Sequence, residues 1–356
     1  MILSQMNYLP QFLITFLLST FLTGWVRQFA LKRGIVSVPR NRDVHKKPVP
    51  RIGGIAIFLS FMIVSLILLL KGADKHVISI WLGATVIAFS MLFDDLKNLP
   101  AWKKFIIQFS AVAILIAGGV GINTLTNPFG GANIDLNSVY IPIMKLGGVV
   151  YHFSLWSDLL TLFWLVGMMN IINFVDGVDG LAGGVSFIAA SIIFFLCLSL
   201  GVSQAQTAEL ALILAGAVGG FLVWNFPPAK IFMGDCGAMF LGFVLGALTL
   251  VSGGKLATVF LVLGFPIVDS IIVAGGRVLR HQNPFTTPDK THLHHRFLKA
   301  GYSARQAIIS IYLISIAFGW TALRGSTRSK LFSAVILVVI LFLITRFLNK
   351  KAQDRT

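Results

Sequence analysis

LLTLFWLVGMMNIINFVDGVDGLAGG, residues 159–184, joins two apolar runs through a short polar turn. The first run is Leu159–Phe174, and the second opens at Gly183 and continues to Leu200. Runs of this kind approach the length needed to cross a hydrocarbon layer of ~30 Å as a helix. Lipid offers no partner to a backbone N–H or C=O, so each run must close its own hydrogen bonds. Within the stretch Asn170, Asn173, Asp176 and Asp179 recur every third position. On a continuing helix they lie along one slowly drifting stripe, with Asn170 and Asn173 facing the bundle interior. Polar groups inside an apolar span need partners and mark a functional site. Gly177 and Gly180 permit a tight turn and close ligand approach. The following helix start favours a phosphate. The plain alternative is a glycine-rich turn between two spans.

The same pattern extends along the chain. About eleven apolar runs are expected to span: 9–30, 53–70, 77–93, 105–120, 159–174, 183–200, 208–224, 238–251, 257–275, 307–322 and 331–348. Several are short enough to require local thinning of the bilayer. A 56% hydrophobic composition over 356 residues and a mean hydropathy of +0.86 exclude an ordinary soluble domain. The fold class expected is therefore an all-α integral membrane protein, a polytopic helix bundle forming a single domain over 1–356. No basic region precedes the first run, which reads as a retained span and not as a removed signal. The loop 121–158 reads as turns with one short strand. Cys197 and Cys236 imply no disulfide framework.

Charge sets the expected orientation. With 32–51 placed in the cytoplasm, 22 of the 29 Lys and Arg fall inside. That puts the N-terminus outside and the C-terminus in the cytoplasm. The net charge of +16 suits anionic lipid and phosphorylated ligands. The basic residues are scattered over short loops without a nucleic-acid motif, so no nucleic-acid partner is expected.

The carboxylates play no part in this orientation, yet it gathers them on one face. Of thirteen acidic residues, Asp94, Asp95, Asp176, Asp179, Asp235 and Asp289 fall at cytoplasmic span ends. The cytoplasmic loops that would build a site are 32–52, 94–104, 174–182, 225–237 and 276–306. Asp94 and Asp95 point about 100° apart on a helix, which gives them different roles. One could approach a metal while the other accepts a proton, or both could be a solvated helix end. In N225-FPPAKIFMG-D235 a span closes at Asn225, and Asp235 stands just before a new helix. Hard oxygen ligands of this type suit Mg²⁺, with Mn²⁺ as a substitute. Phe232 offers a stacking surface for a base, or plain packing. His292, His294, His295 and Arg296 form HLHHR, which suits a pyrophosphate better than zinc because no cysteine accompanies it. Lys46, in HKKPVPRIGG, could add a cation. Asp269, inside the ninth run, reads as a salt link to Arg277 or a polar tie to the site floor.

Together these segments, from PRNRDVHKKPVPRIGG to THLHHRFLKAGYS, resemble the polyprenyl-phosphate N-acetylhexosamine-1-phosphate transferases. HLHHR favours the aminosugar branch, whose members start O-antigen, common-antigen and teichoic-acid synthesis. Where some members carry a third acid after the Asp pair, this chain has Asn98. The resemblance implies transfer of N-acetylglucosamine-1-phosphate from UDP-GlcNAc to undecaprenyl phosphate, with release of UMP. It implies Asp235 as leading metal ligand, Asp95 as a second, and Asp94 acting on the lipid phosphate. Asn170, Asn173, Asp176 and Asp179 would hold the nucleotide, with Asn225 and Phe232 near uracil. His292, His294, His295 and Arg296 would grip diphosphate or sugar. It also implies a multi-pass protein of a bacterial cytoplasmic membrane with its site facing the cytoplasm, and it allows a homodimer. The alternatives are another UDP-N-acetylaminosugar or, in a different class, a transporter. No internal repeat supports transport, and the DGxxAR pattern of CDP-alcohol phosphotransferases is absent.

Overall fold

The computed structural model describes residues 8–37, 48–127, 131–146, 149–199, 204–252, 258, 260–261, 263–279, 292–324 and 326–354. Its helices are α1 (Tyr8–Arg33), α2 (Gly54–Leu70), α3 (Lys75–Lys97), α4 (Ala101–Ala117), α5 (Leu155–Val175) and α6 (Leu181–Cys197). They continue as α7 (Ala205–Asn225), α8 (Gly234–Val251), α9 (Gly264–Leu279), α10 (Leu293–Lys299), α11 (Ala304–Arg324) and α12 (Thr327–Gln353). Every helix except the short α10 falls on one of the expected apolar runs. Seven of them, α1, α3, α5, α7, α8, α11 and α12, are long and apolar enough to cross a membrane. The chain is a polytopic membrane protein of helical class.

Burial separates the helices into an inner and an outer set. The most apolar windows of α7 and α8 are each 78% buried, against 22% for α1 and 17% for α12. The outer helices therefore present their apolar side chains to lipid, as Leu17, Phe21, Phe332 and Phe342 do. At the centre α8 packs against α2, α3 and α5. Phe240 of α8 meets Phe58 and Phe61 of α2 edge-on, with centroids 5.7 and 5.5 Å apart.

Contact between α1 and α7 is closest where α7 carries Gly216 and Gly220. A Cβ on Gly220 would lie 2.3 Å from the Phe16 carbonyl oxygen. Small residues four apart let two helix backbones approach in lipid, where packing and not water exclusion drives association. Ser19 Oγ then reaches the Ala217 carbonyl at 2.5 Å, and Trp224 Nε1 donates to the Thr20 carbonyl at 3.0 Å. Gly220→Leu is expected to separate the two helices and cost about 3 kcal/mol or more. A clear fall in thermal stability in detergent is the check. Gly167→Ala, where nothing lies within 4 Å, should leave stability unchanged.

The segment between α4 and α5 holds more strand than expected. β3 (Thr124–Leu125) pairs with β4 (Ile134–Asp135), and β5 (Tyr140–Leu146) pairs antiparallel with β6 (Val149–Ser154). The legible signal was Gly147-Gly148 between two runs rich in β-branched and aromatic residues. A further pair, β1 (Val36–Ser37) with β2 (Val49–Pro50), closes the segment after α1.

Candidate active site

The polar ends of α3, α4, α5 and α8 meet at one end of the bundle. Helix α3 stops at Asn98, whose φ of 51° is left-handed and whose N–H donates to the Asp94 carbonyl at 2.7 Å. Asparagine tolerates this conformation better than most residues. Asn98 thus ends the helix.

The two neighbouring aspartates diverge as the helix geometry requires. Asp94 Oδ1 accepts the Leu99 N–H at 2.5 Å, and its Oδ2 lies 2.5 Å from Lys104 Nζ. The same ammonium lies 2.8 Å from Asp235 Oδ2. Lys104, at the start of α4, was not singled out in the sequence, where it reads as one more basic residue of a cytoplasmic loop. Asp95 faces α8 instead. Its Oδ1 accepts the Asp235 N–H at 2.9 Å, and its Oδ2 the Cys236 N–H at 3.0 Å.

Asp176 and Asp179 sit on the α5–α6 turn beside this group. Asp176 takes a hydrogen bond from the Gly234 N–H. Burial, then the charges of Asp235, Asp95 and Asp179, pushes its carboxyl well above the usual carboxylate range. Asp179 Oδ2 accepts the Ala229 N–H at 2.9 Å. Asn170 donates to Val166 O at 2.7 Å and to Gln108 Oε1 of α4 at 3.2 Å. That interior pairing satisfies the need the sequence announced. Asn173 lies half-buried one turn nearer the site.

Asn225 has a structural task. Its Oδ1 accepts the Gly180 N–H, and its Nδ2 donates to the Ile231 carbonyl, both at 2.9 Å. Both ends of its buried amide clasp two loops, which gives Asn225 a positioning role. Phe232 is half-buried, and its backbone is pinned to Pro50 and Gly53 at 2.7 and 2.9 Å. Two residues of α11, also missed in the sequence, brace the same loops. Tyr312 donates to the Gly180 carbonyl at 2.5 Å, and Arg305 Nε to the Pro227 carbonyl at 2.9 Å.

The histidine segment forms α10. Asp269 Oδ2 lies 2.8 Å from His292 Nδ1, and its Oδ1 accepts the Leu293 N–H at 2.9 Å. Asp269 is thus the polar tie that anchors α10 to α9. His294 is 3% exposed, stacks on His292 and leaves Nε2 buried without a partner. A Cβ on Gly177 would come 4.0 Å from that nitrogen, which places His294 against the Asp176–Asp179 turn. His295 packs beside it with centroids 4.3 Å apart. Arg296 Nη1 donates to Asn349 of α12 at 2.7 Å. Lys46 and Asp289 lie outside the described residues.

Burial, then the charges of His295 and His292, lowers the His294 imidazole well below its usual value. The folded state holds it neutral, whereas the unfolded chain protonates it near the ordinary value of about 6.5. Its contribution to stability is therefore intact above that pH and is lost as the pH falls through it. The melting temperature should fall between about pH 7.5 and 5, and His294→Gln should remove part of that fall.

Among the described residues no group of three or more His, Cys, Asp or Glu is arranged to hold a metal by itself. Two carboxylate oxygens do converge on one ammonium, a point where a cation is stabilised. Mg²⁺ takes one or two carboxylates and completes its shell with water and substrate phosphate, so this donor set fits it.

The helical membrane bundle thus carries these carboxylates, the Lys104 ammonium that two of them share and the histidine segment at one end. The profile described as glycosyl transferase family 4 matches residues 77–253, which include Asp94, Asp95, Asp176, Asp179 and Asp235. The chain belongs to the family of polyprenyl-phosphate N-acetylglucosamine-1-phosphate transferases. It is 33% identical to the probable undecaprenyl-phosphate N-acetylglucosaminyl 1-phosphate transferase of Bacillus subtilis, over 97% of this chain and 94% of that one. It is 34% identical to the decaprenyl-phosphate N-acetylglucosaminephosphotransferase of Mycolicibacterium smegmatis, over 92% and 86%. It is 27% identical to the undecaprenyl-phosphate alpha-N-acetylglucosaminyl 1-phosphate transferase of Salmonella typhi, over 96% and 89%.

Proposed function

We propose that this protein transfers N-acetylglucosamine-1-phosphate from UDP-GlcNAc to undecaprenyl phosphate and releases UMP, the first step of a lipid-linked surface glycan. The observation that carries the reading is the convergence of Asp94 and Asp235, from two separate helices, on Lys104 at distances of 2.5 and 2.8 Å. A site of this kind neutralises the charge of a diphosphate, and phosphoryl transfer needs positioning and charge neutralisation above all. An oxygen of the lipid phosphate attacks the sugar-bearing phosphorus. The bond from that phosphorus to the bridging oxygen breaks, and UMP departs with that oxygen.

Asp235 is the main residue to hold Mg²⁺. Asp94 is favoured over Asp95 as its companion, because Asp94 already shares a cation with Asp235. Bound there, Mg²⁺ would offset the charge that develops on the leaving UMP. Lys104 lies where it can pass from the carboxylates to a phosphate. His294, with an unpartnered nitrogen facing the Asp176–Asp179 turn, donates to the sugar or diphosphate, with His292 and His295 beside it. Asn173, Asp176, Asp179 and Phe232 border the nucleotide. Arg296 is an outer cation of the same face.

The bias of 22 basic residues to 7 supports eleven spans with the N-terminus outside, the C-terminus inside and the site facing the cytoplasm. The membrane would be the bacterial cytoplasmic membrane, where the donor nucleotide is met. The test is UMP release by purified protein from UDP-GlcNAc, with undecaprenyl phosphate and Mg²⁺ each withheld in turn. Dependence on both is expected. Release from another UDP-aminosugar alone would change the donor. Silence with all of them would sink the enzyme reading and favour transport.

A further inference from the structure

We infer that Asp95 is a positioning residue, a helix cap supplied from α3 to α8 that aims Asp235, and not itself a group that holds cation or substrate. The inference rests on the role proposed above for Asp235.

An α-helix begins with four N–H groups that have no partner in the helix. Helix α8 starts at Gly234, and its preceding residue, Met233, offers no side-chain cap. Asp95 supplies one across the interface. Its two oxygens accept the consecutive Asp235 and Cys236 N–H groups at 2.9 and 3.0 Å. The carboxylate is 7% exposed, and its hydrogen bonds run to these two groups. Lys104, the nearby cation, is bound by Asp94 and Asp235 instead.

The geometry has a consequence for the reacting groups. Asp95 grips the backbone of the same residue whose side chain shares a cation with Asp94, its own neighbour in the chain. One turn of α3 therefore fixes the rotation of α8 and the distance between the Asp94 and Asp235 carboxylates. The other side of the loop is held independently. Phe232 N–H donates to Pro50 O at 2.7 Å, and Gly54 N–H donates to Met233 O at 2.7 Å. Asp235 is thus clamped between β2 with the start of α2 on one side and Asp95 on the other.

The test compares Asp95→Asn, Asp95→Ala and Asp235→Ala in full-length purified protein. Three quantities are read: kcat with KM for UDP-GlcNAc, direct binding of Mn²⁺ as a spectroscopic probe, and the melting temperature. Asparagine keeps one carbonyl acceptor for the helix start. Asp95→Asn is therefore expected to lower kcat by no more than about tenfold, with KM and Mn²⁺ affinity close to those of the parent protein. Asp95→Ala should lower kcat further and depress melting more than asparagine does. Asp235→Ala should weaken Mn²⁺ binding outright. The proposal is overturned if Asp95→Asn weakens Mn²⁺ as Asp235→Ala does, which would make Asp95 a ligand. It is also overturned if Asp95→Asn abolishes turnover with Mn²⁺ binding and melting intact, which would make it a proton acceptor. If the parent protein releases no UMP, the functional reading fails by itself. The Mn²⁺ and melting series still decide the capping role.

Discussion

Asp235→Ala is expected to lower UMP release by about 10³-fold, the scale seen when one preorganised charge-stabilising group is lost from a transition state. The loss should fall on turnover, with KM for the lipid acceptor little changed, because the side chain faces the diphosphate and not the apolar tail. Asp235 stands in the first turn of α8, where its backbone is fixed, and its carboxylate is 30% exposed toward the site. Without it Lys104 keeps Asp94, and among the described residues no second carboxylate is paired with it. The check is an initial-rate assay across a Mg²⁺ titration. A variant that keeps more than about a tenth of the activity and the parent's Mg²⁺ response would place the cation on other residues.

Gly234→Ala should be nearly as severe, although it removes no functional group. Gly234 has φ of 76°, and a Cβ there would lie 2.3 Å from the Arg51 carbonyl oxygen and 2.8 Å from Asp95 Oδ2. The left-handed backbone alone costs an alanine about 1–2 kcal/mol. The Arg51 carbonyl has little room to yield, since the backbone on either side of it is hydrogen-bonded to the 232–233 loop. The start of α8 must move, and Asp235 moves with it. A shift of about 1 Å at a reacting group is enough for a loss on the order of 10²-fold. The helical content should survive, because the rest of α8 remains packed among α2, α3 and α5. Circular dichroism unchanged from the parent, beside collapsed UMP release, is the expected pair of results. Activity within twofold of the parent would show that the loop is free to relax.

Much of the site could be read from the sequence because lipid makes unpaired polar groups costly. Asn170 was expected to face the bundle interior and does so, bonded to Gln108. Asp94, Asp95, Asp176, Asp179 and Asp235 were expected on one face, and their side chains and turns meet there. The expected polar tie at Asp269 is the anchor of α10. Other residues were not legible, for identifiable reasons. Lys104 resembles every other loop lysine until a second helix brings Asp235 to it. Tyr312 and Arg305 lie far along the chain from the loops they brace. Asn225 carried the chemistry of a ligand contact, and only the positions of Gly180 and Ile231 reveal a clasp. The β5–β6 pair is faint in the sequence because a short antiparallel hairpin carries little periodic signal beside long apolar runs.

The sequence by itself determined the helical membrane class, the set of polar residues at the span ends and the family. Hydropathy, charge bias and motif spacing are properties of the chain read in order, and the bilayer converts them directly into helices. The tertiary structure decided how the adjacent aspartates divide their work. Asp94 and Asp95 are chemically identical and differ in sequence by one position. A helix turns that position into a rotation of about 100°, which gives one carboxylate to Lys104 and the other to the backbone of α8.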